Sequence, residues 1–136
     1  MNVELLRTTF KTITPRADEV AKSFYAKMLG TFPQVRPLFA KTDFEAQRRN
    51  LIQSLALVVK MVDKPDELLP VLEKMGRSHN EYRVEPNMYP YVCYSLLFTL
   101  AEAFGDDWTE EAATTWQAAL EFVSQKMIEA QQAVTN

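Results

Sequence analysis

The feature that most constrains this chain is a series of segments in which apolar residues return every third or fourth position. Tyr89, Val92, Leu96 and Leu100 keep that spacing, as do Ala112, Trp116, Leu120, Val123, Met127 and Ala130. A repeat of this kind puts one apolar face on each helix. Glycine occurs at three positions only (Gly30, Gly76 and Gly105), whereas the seven prolines fall where helix starts and sharp turns would suit them. The expected class is all-α.

Boundary signals divide the chain into six main helices and one connector. A short opening helix is expected at about 3–13. Thr14 before Pro15 reads as an N-cap and Gly30 as a C-cap, which gives a helix at about 15–29. The two prolines of "TFPQVRPLF" (31–39) leave room for a short redirecting turn. "TDFE" (42–45) has capping-box spacing, with Thr42 as the cap of a helix running to about Val62. Pro65 opens a helix to about Asn80, Pro86 opens another that Gly105 stops, and Thr109 caps the last. No internal repeat or low-complexity linker is present.

At 136 residues the expectation is a single domain, 1–136, with a core that buries about two-thirds of the unfolded surface. A net charge of -3 offers no basic field, so nucleic acid and anionic membrane surfaces are not expected partners. The single cysteine, Cys93, excludes an internal disulfide and a cysteine-rich zinc site, and its apolar neighbours suggest a buried, inert thiol. Glu4 and Arg7 interrupt the first ten residues, unlike a signal peptide, and no apolar run reaches membrane-span length. A soluble, cytoplasmic protein is expected, with monomer and dimer both open.

The informative positions are polar residues that share apolar stripes. Leu68, Leu72, Met75 and His79, spaced four, three and four, turn the only imidazole inward. Position alone leaves two readings: a core histidine bonded to a backbone carbonyl, the more common arrangement, or a metal ligand. One histidine and one cysteine cannot build an ordinary zinc site. Haem iron, already held by four ring nitrogens, needs only one protein ligand. Gln47 sits at the edge of the stripe Phe44, Leu51, Leu55, Val58, Val62, as a rim residue or a donor into a pocket. Tyr25 lies within the arc of Ala17, Ala21, Phe24 and Met28, so its hydroxyl needs a partner.

"FYAKMLGTFPQVRPLF" (24–39), "QRRNLIQSL" (47–55), "GRSHNEYRVEPNMYPYV" (76–92) and the Trp116 helix together resemble the globin family, specifically bacterial single-domain globins and the haem domains of flavohaemoglobins. The resemblance covers almost the whole chain and implies a 3-over-3 helical fold around one b-type haem (iron protoporphyrin IX). It assigns His79 as the proximal and metal ligand, Phe39 as the ring stacked on the haem, and Tyr25 and Gln47 as the distal pair. Leu51 becomes the apolar wall above the iron and Tyr89 the residue that orients the proximal imidazole. Val84 and Val92 would pack the haem edge, and Arg77 would reach a propionate.

The implied function is reversible binding of oxygen, with nitric oxide and carbon monoxide as further ligands. Two distal donors would strengthen the hold on oxygen by roughly 1.5–3 kcal/mol each. Nitric oxide dioxygenase drawing on an external reductase is the enzymatic alternative, and a gas-sensing or haem-free regulatory module is the third. In flavohaemoglobin-type domains a glutamate on the last helix joins the proximal histidine and tyrosine. Here "SQKMIEAQQ" offers Glu129 and Gln131 for that place, and Leu120 replaces a tyrosine common on that helix.

Overall fold

The computed structural model describes residues 1–81 and 84–135, without the side chains of 80, 81, 134 and 135. Residues 82 and 83 of the "GRSHNEYRVEP" stretch therefore lie outside the described residues. Six helices carry the fold: α1 (Val3–Ile13), α2 (Ala17–Thr31), α3 (Phe44–Met61), α4 (Pro65–Glu81), α5 (Tyr89–Phe104) and α6 (Glu110–Thr135). No strand occurs among the described residues. No helix among them is long and apolar enough to cross a membrane.

Several helix ends differ from the sequence expectation, each for a local reason. Thr14 does not cap the second helix. Its hydroxyl bonds back to the Phe10 carbonyl at 2.9 Å, and residues Thr14–Arg16 form a 3-10 turn that joins α1 to α2. Gly30 lies inside α2, which runs one residue further to Thr31. Asp43, not Thr42, caps α3, because its carboxylate accepts from the amides of Glu45 and Ala46. Pro86 opens a 3-10 turn, Pro86–Met88, before α5 starts at Tyr89. Pro70 stands within α4 on its solvent side, where water can satisfy the carbonyl its ring leaves unbonded. Expectation and structure agree at Gly105, where a φ of +55° favours glycine, and at Thr109, whose hydroxyl accepts from Ala112 N–H at 3.1 Å. The two prolines at 33 and 37 give the expected redirecting turn, a 3-10 helix over Pro33–Phe39.

Three apolar clusters form the interior. The first joins Leu6, Ile13, Val20, Val59, Leu100, Phe104, Trp116 and Ala119. Here the Trp116 indole N–H donates to Thr9 Oγ1 at 2.9 Å, so the largest buried side chain has its one polar atom satisfied. The second gathers Phe24, Tyr25, Met28, Val35, Leu96 and Leu120, with Phe39, Phe44, Leu51 and Val92 against it. The third holds Val58, Leu68, Leu72, Tyr89 and Met127, flanked by Met75 and Val84. The second and third clusters line the two halves of the candidate site.

The tightest helix pair is α4 with α6. Gly76 permits it. A Cβ built at this position would fall inside the contact distance of the Met127 carbonyl oxygen, 3.0 Å from Met127 Cα and 3.1 Å from Ala130 Cβ. Backbone cannot move aside as a side-chain tip can. Alanine at position 76 would gain about 1 kcal/mol of helix propensity but must separate the two helices, an overpacking cost of about 1–3 kcal/mol. Gly76→Ala is therefore expected to lower the melting temperature by several degrees, read by thermal circular dichroism. An unchanged or raised melting temperature would contradict the close crossing.

Candidate functional site

Tyr25 is buried on α2, and three phenylalanine rings meet it edge-on. Phe24 lies at 4.8 Å and 63°, Phe39 at 5.8 Å and 67°, and Phe44 at 5.6 Å and 69° between centroids and planes. This arrangement fixes the phenol by the quadrupoles of its neighbours. Gln47 Nε2, from α3, donates to the Tyr25 hydroxyl at 3.1 Å. The tyrosine oxygen thus acts as acceptor, and its own proton has no acceptor among the described residues. Burial pushes the Tyr25 phenol up, partly offset by the Gln47 bond, so the hydroxyl stays protonated at neutral pH. One residue after Gln47, Arg48 pairs with Asp18 of α2 at 2.8 Å and holds the start of α3 against that helix. Leu51, one turn further, packs against the same cluster as Phe39, Phe44 and Val92.

His79 is half-buried near the end of α4. Its Nδ1 lies 2.6 Å from the Met75 carbonyl oxygen, one turn earlier. A carbonyl can only accept, so Nδ1 carries the proton and the lone pair sits on Nε2. Burial pushes the imidazole below its ordinary value, against the smaller opposite effect of the Met75 bond, and so favours the neutral ring. The carbonyl-bonded core histidine and the metal ligand are consequently not rival geometries. The same bond that satisfies Nδ1 prepares Nε2 as a donor, and Nε2 has no partner among the described residues.

Beside it, the Tyr89 ring lies 6.0 Å from the imidazole, tilted by 33°. Its hydroxyl donates to Gln131 Oε1 at 2.9 Å, and Gln131 Nε2 donates to the Val84 carbonyl. Burial pushes the Tyr89 phenol up to about 12. The choice between Glu129 and Gln131 thus falls to Gln131, which is buried, while Glu129 is exposed and bonded to Gln125 and Lys126. Arg77 is exposed, with no ion-pair partner among the described residues. Cys93 is half rather than fully buried and bonds Ser124 Oγ at 3.2 Å. Burial raises its thiol, in keeping with an inert residue. Leu120 fills apolar space beside Phe24 and Tyr25.

The sequence thus picked out Tyr25, Gln47 and His79 as polar residues on apolar stripes and left out four contributing residues. Gly76 sets the α4–α6 distance, Asp18 with Arg48 fixes the start of α3, and Met75 supplies the carbonyl that orients His79. Gly76 alone left a sequence signal, a glycine inside a helical repeat, where it is unfavourable unless packing needs it. Among the described residues, no group of three histidine, cysteine, aspartate or glutamate side chains could hold a metal ion by itself.

Comparison with known proteins fits this architecture. The chain is 30% identical over 133 residues to a flavohemoprotein of Pseudomonas aeruginosa, which covers 96% of this chain and 34% of that protein. It is 24% identical over 130 residues to a flavohemoprotein of Vibrio cholerae, 94% of this chain and 33% of that one. The chain spans about a third of the length of these curated relatives. Among solved structures, a bacterial globin from Campylobacter jejuni superposes with a TM-score of 0.85 at 17% identity, covering 98% of this chain and 96% of that one. An engineered carbene transferase, a putative nitric oxide dioxygenase from Rhodothermus marinus, superposes at 0.87 with 22% identity, covering 98% and 92%. At these identities the two structures speak for the fold alone. The family model that matches is Globin, over residues 22–127. With more than half its length matched, the chain belongs to the globin family and has the globin fold.

Proposed function

We propose that this chain holds one b-type haem, iron protoporphyrin IX, through His79 and reversibly binds oxygen and other diatomic gases. The observation that carries this reading is the setting of His79: a half-buried ring, its Nδ1 2.6 Å from the Met75 carbonyl and its Nε2 without a partner among the described residues. A single donor nitrogen suffices for an iron already held by four ring nitrogens, whereas it would leave a bare metal ion short of ligands. When bound, the haem supplies a ferrous iron that takes a diatomic gas.

The other residues have matching parts. Tyr25 keeps a proton to donate, because its oxygen already accepts from Gln47. Such a donor suits a polar gas ligand that gains negative character on binding. Phe39, Phe44 and Leu51 provide the apolar surround, which strengthens that hydrogen bond by excluding water. Val84 and Val92 are the apolar contacts for the ring edge, and the exposed Arg77 is the cation for a propionate.

Nitric oxide dioxygenase activity would use the same residues with an external reductase. Rapid nitric oxide consumption over many turnovers with such a reductase would favour the enzyme. Oxygen binding and release without turnover favours the binder. The first experiment is reconstitution with haemin, where an absent Soret band would end the haem reading altogether.

Two substitutions test the assigned roles. His79→Ala is expected to abolish stable haem retention, followed by transfer of haem to an excess of an apoglobin acceptor. Retention at the wild-type rate would refute the ligand assignment. Tyr25→Phe is expected to speed oxygen dissociation about tenfold or more, equivalent to about 1.4 kcal/mol for the lost donor. An off-rate equal to wild type in stopped flow would mean that the hydroxyl does not face the gas.

A further inference from the structure

We infer that the outer face shared by α2 and α5 is a two-fold contact between copies of this chain, in which the aromatic ridge of Tyr94 and Phe98 of one copy lies along the groove beside Gly30 of the other. The contact is separate from the functional reading of His79 and Tyr25 and stands or falls without it.

Two helices lying side by side and antiparallel build this face. Arg16, just before α2, donates to the Ala103 carbonyl near the end of α5, and Lys27 lies over the Phe98 ring at 3.7 Å. Phe32, just past α2, stacks on Tyr91 near the start of α5 at 4.4 Å and 18°. On the solvent side α5 raises a ridge. Tyr94 is 50% and Phe98 38% exposed, their rings stacked one turn apart at 6.3 Å, and Phe32 meets Tyr94 edge-on at 5.8 Å. The rings are thus held in place before a partner arrives, which lowers the entropy cost of burying them. Contiguous exposed aromatic rings mark an interface more than a free surface.

Beside the ridge, α2 is low. Ala26 and Gly30 are exposed one turn apart, flanking Lys27. Gly30 stands inside the helix without a positive φ, and a Cβ there would meet nothing within 4 Å. Neither the backbone nor packing within the chain asks for glycine at this position, although it weakens the helix. A close approach from outside gives it a use.

A ridge and a groove on one face are self-complementary. A two-fold axis parallel to the helices sets the α5 of each copy over the α2 of the other, so the same contact forms twice. Charge agrees with this pairing: Glu102 is the single charged residue of α5, whereas from Val20 onward α2 carries only the cations Lys22 and Lys27. Setting α5 on α5 would oppose two carboxylates and two ridges. A partner of one charge sign would match one helix and repel the other.

The test is sedimentation velocity of the full chain across a concentration series, with Tyr94→Arg and Gly30→Gln beside wild type. Wild type is expected to pass from monomer to dimer below about 1 mM, and each variant to weaken dimerisation by about tenfold or more. Gly30→Gln leaves the ridge intact and is the better helix former, so its melting temperature at monomeric dilution is expected not to fall. That separates loss of contact from loss of fold. A wild type still monomeric at about 1 mM overturns the inference, whatever else then covers the face. A Gly30→Gln dimer as tight as wild type overturns it too, because the contact must then lie elsewhere. Should either variant lose its fold, the other decides.

Discussion

The close approach of α4 to α6 at Gly76 is the constraint on which the histidine side of the molecule depends. Glycine within a helix costs about 0.5–1 kcal/mol relative to alanine, and nothing in the local backbone asks for it. What requires it is the Met127 backbone, which lies where a Cβ would be. Once α4 lies this deep, Leu68 and Leu72 reach Met127 and Tyr89, and the third cluster closes without a side-chain layer between the backbones. Gln131, one turn beyond Met127, then comes within reach of Val84 and Tyr89. The orientation of His79 follows from its own helix through Met75, but its depth follows from α6.

The tyrosine side is built by different elements and by weaker forces. Aromatic edges hold Tyr25, and the Asp18–Arg48 pair that steadies the start of α3 has its carboxylate largely in water, so it contributes little by itself. Each half nonetheless ends in the same economy of hydrogen bonding. His79 spends its proton on Met75 and keeps a lone pair, whereas Tyr25 spends a lone pair on Gln47 and keeps its proton. One centre is left as an electron-pair donor and the other as a hydrogen-bond donor. That pairing suits a cation with a partly negative ligand, which is the chemistry of the proposed function.

Sequence periodicity revealed the helices because burial on one face needs a three-and-four repeat, and the five helices α2 to α6 appear where the stripes ran. The ends were harder. Thr42 and Asp43 are both good capping residues, and only the direction of the chain leaving the 3-10 helix at Pro33–Phe39 decides for Asp43. Thr14 fails as a cap because the chain never leaves helical torsion angles there, so its hydroxyl turns back to Phe10. Tyr25, Gln47 and His79 were legible as polar residues on apolar stripes. Gln131 was within reach of the same argument: it stands four positions after Met127, on the stripe, whereas Glu129 stands two after it and faces water. The pairing of Gln131 with Val84 was not legible, because it depends on how near α6 comes to the segment after α4, a distance set by tertiary packing.

The identity of the residue beside Tyr89 bears on what His79 can do. A carboxylate there would draw the phenol proton toward itself and place a negative charge near the imidazole, raising its basicity and its donation to a bound metal. Gln131 meets Tyr89 and Val84 with a neutral amide, and among the described residues the imidazole bonds the Met75 carbonyl. Strong donation from the histidine helps to break a bond within a bound oxygen molecule, whereas modest donation suits holding that molecule intact. The Val84 carbonyl makes this neutrality more than an accident of sequence, since a side chain satisfying both it and Tyr89 must carry a donor and an acceptor. The same requirement that anchors Val84 to α6 thus makes the partner of Tyr89 an uncharged amide.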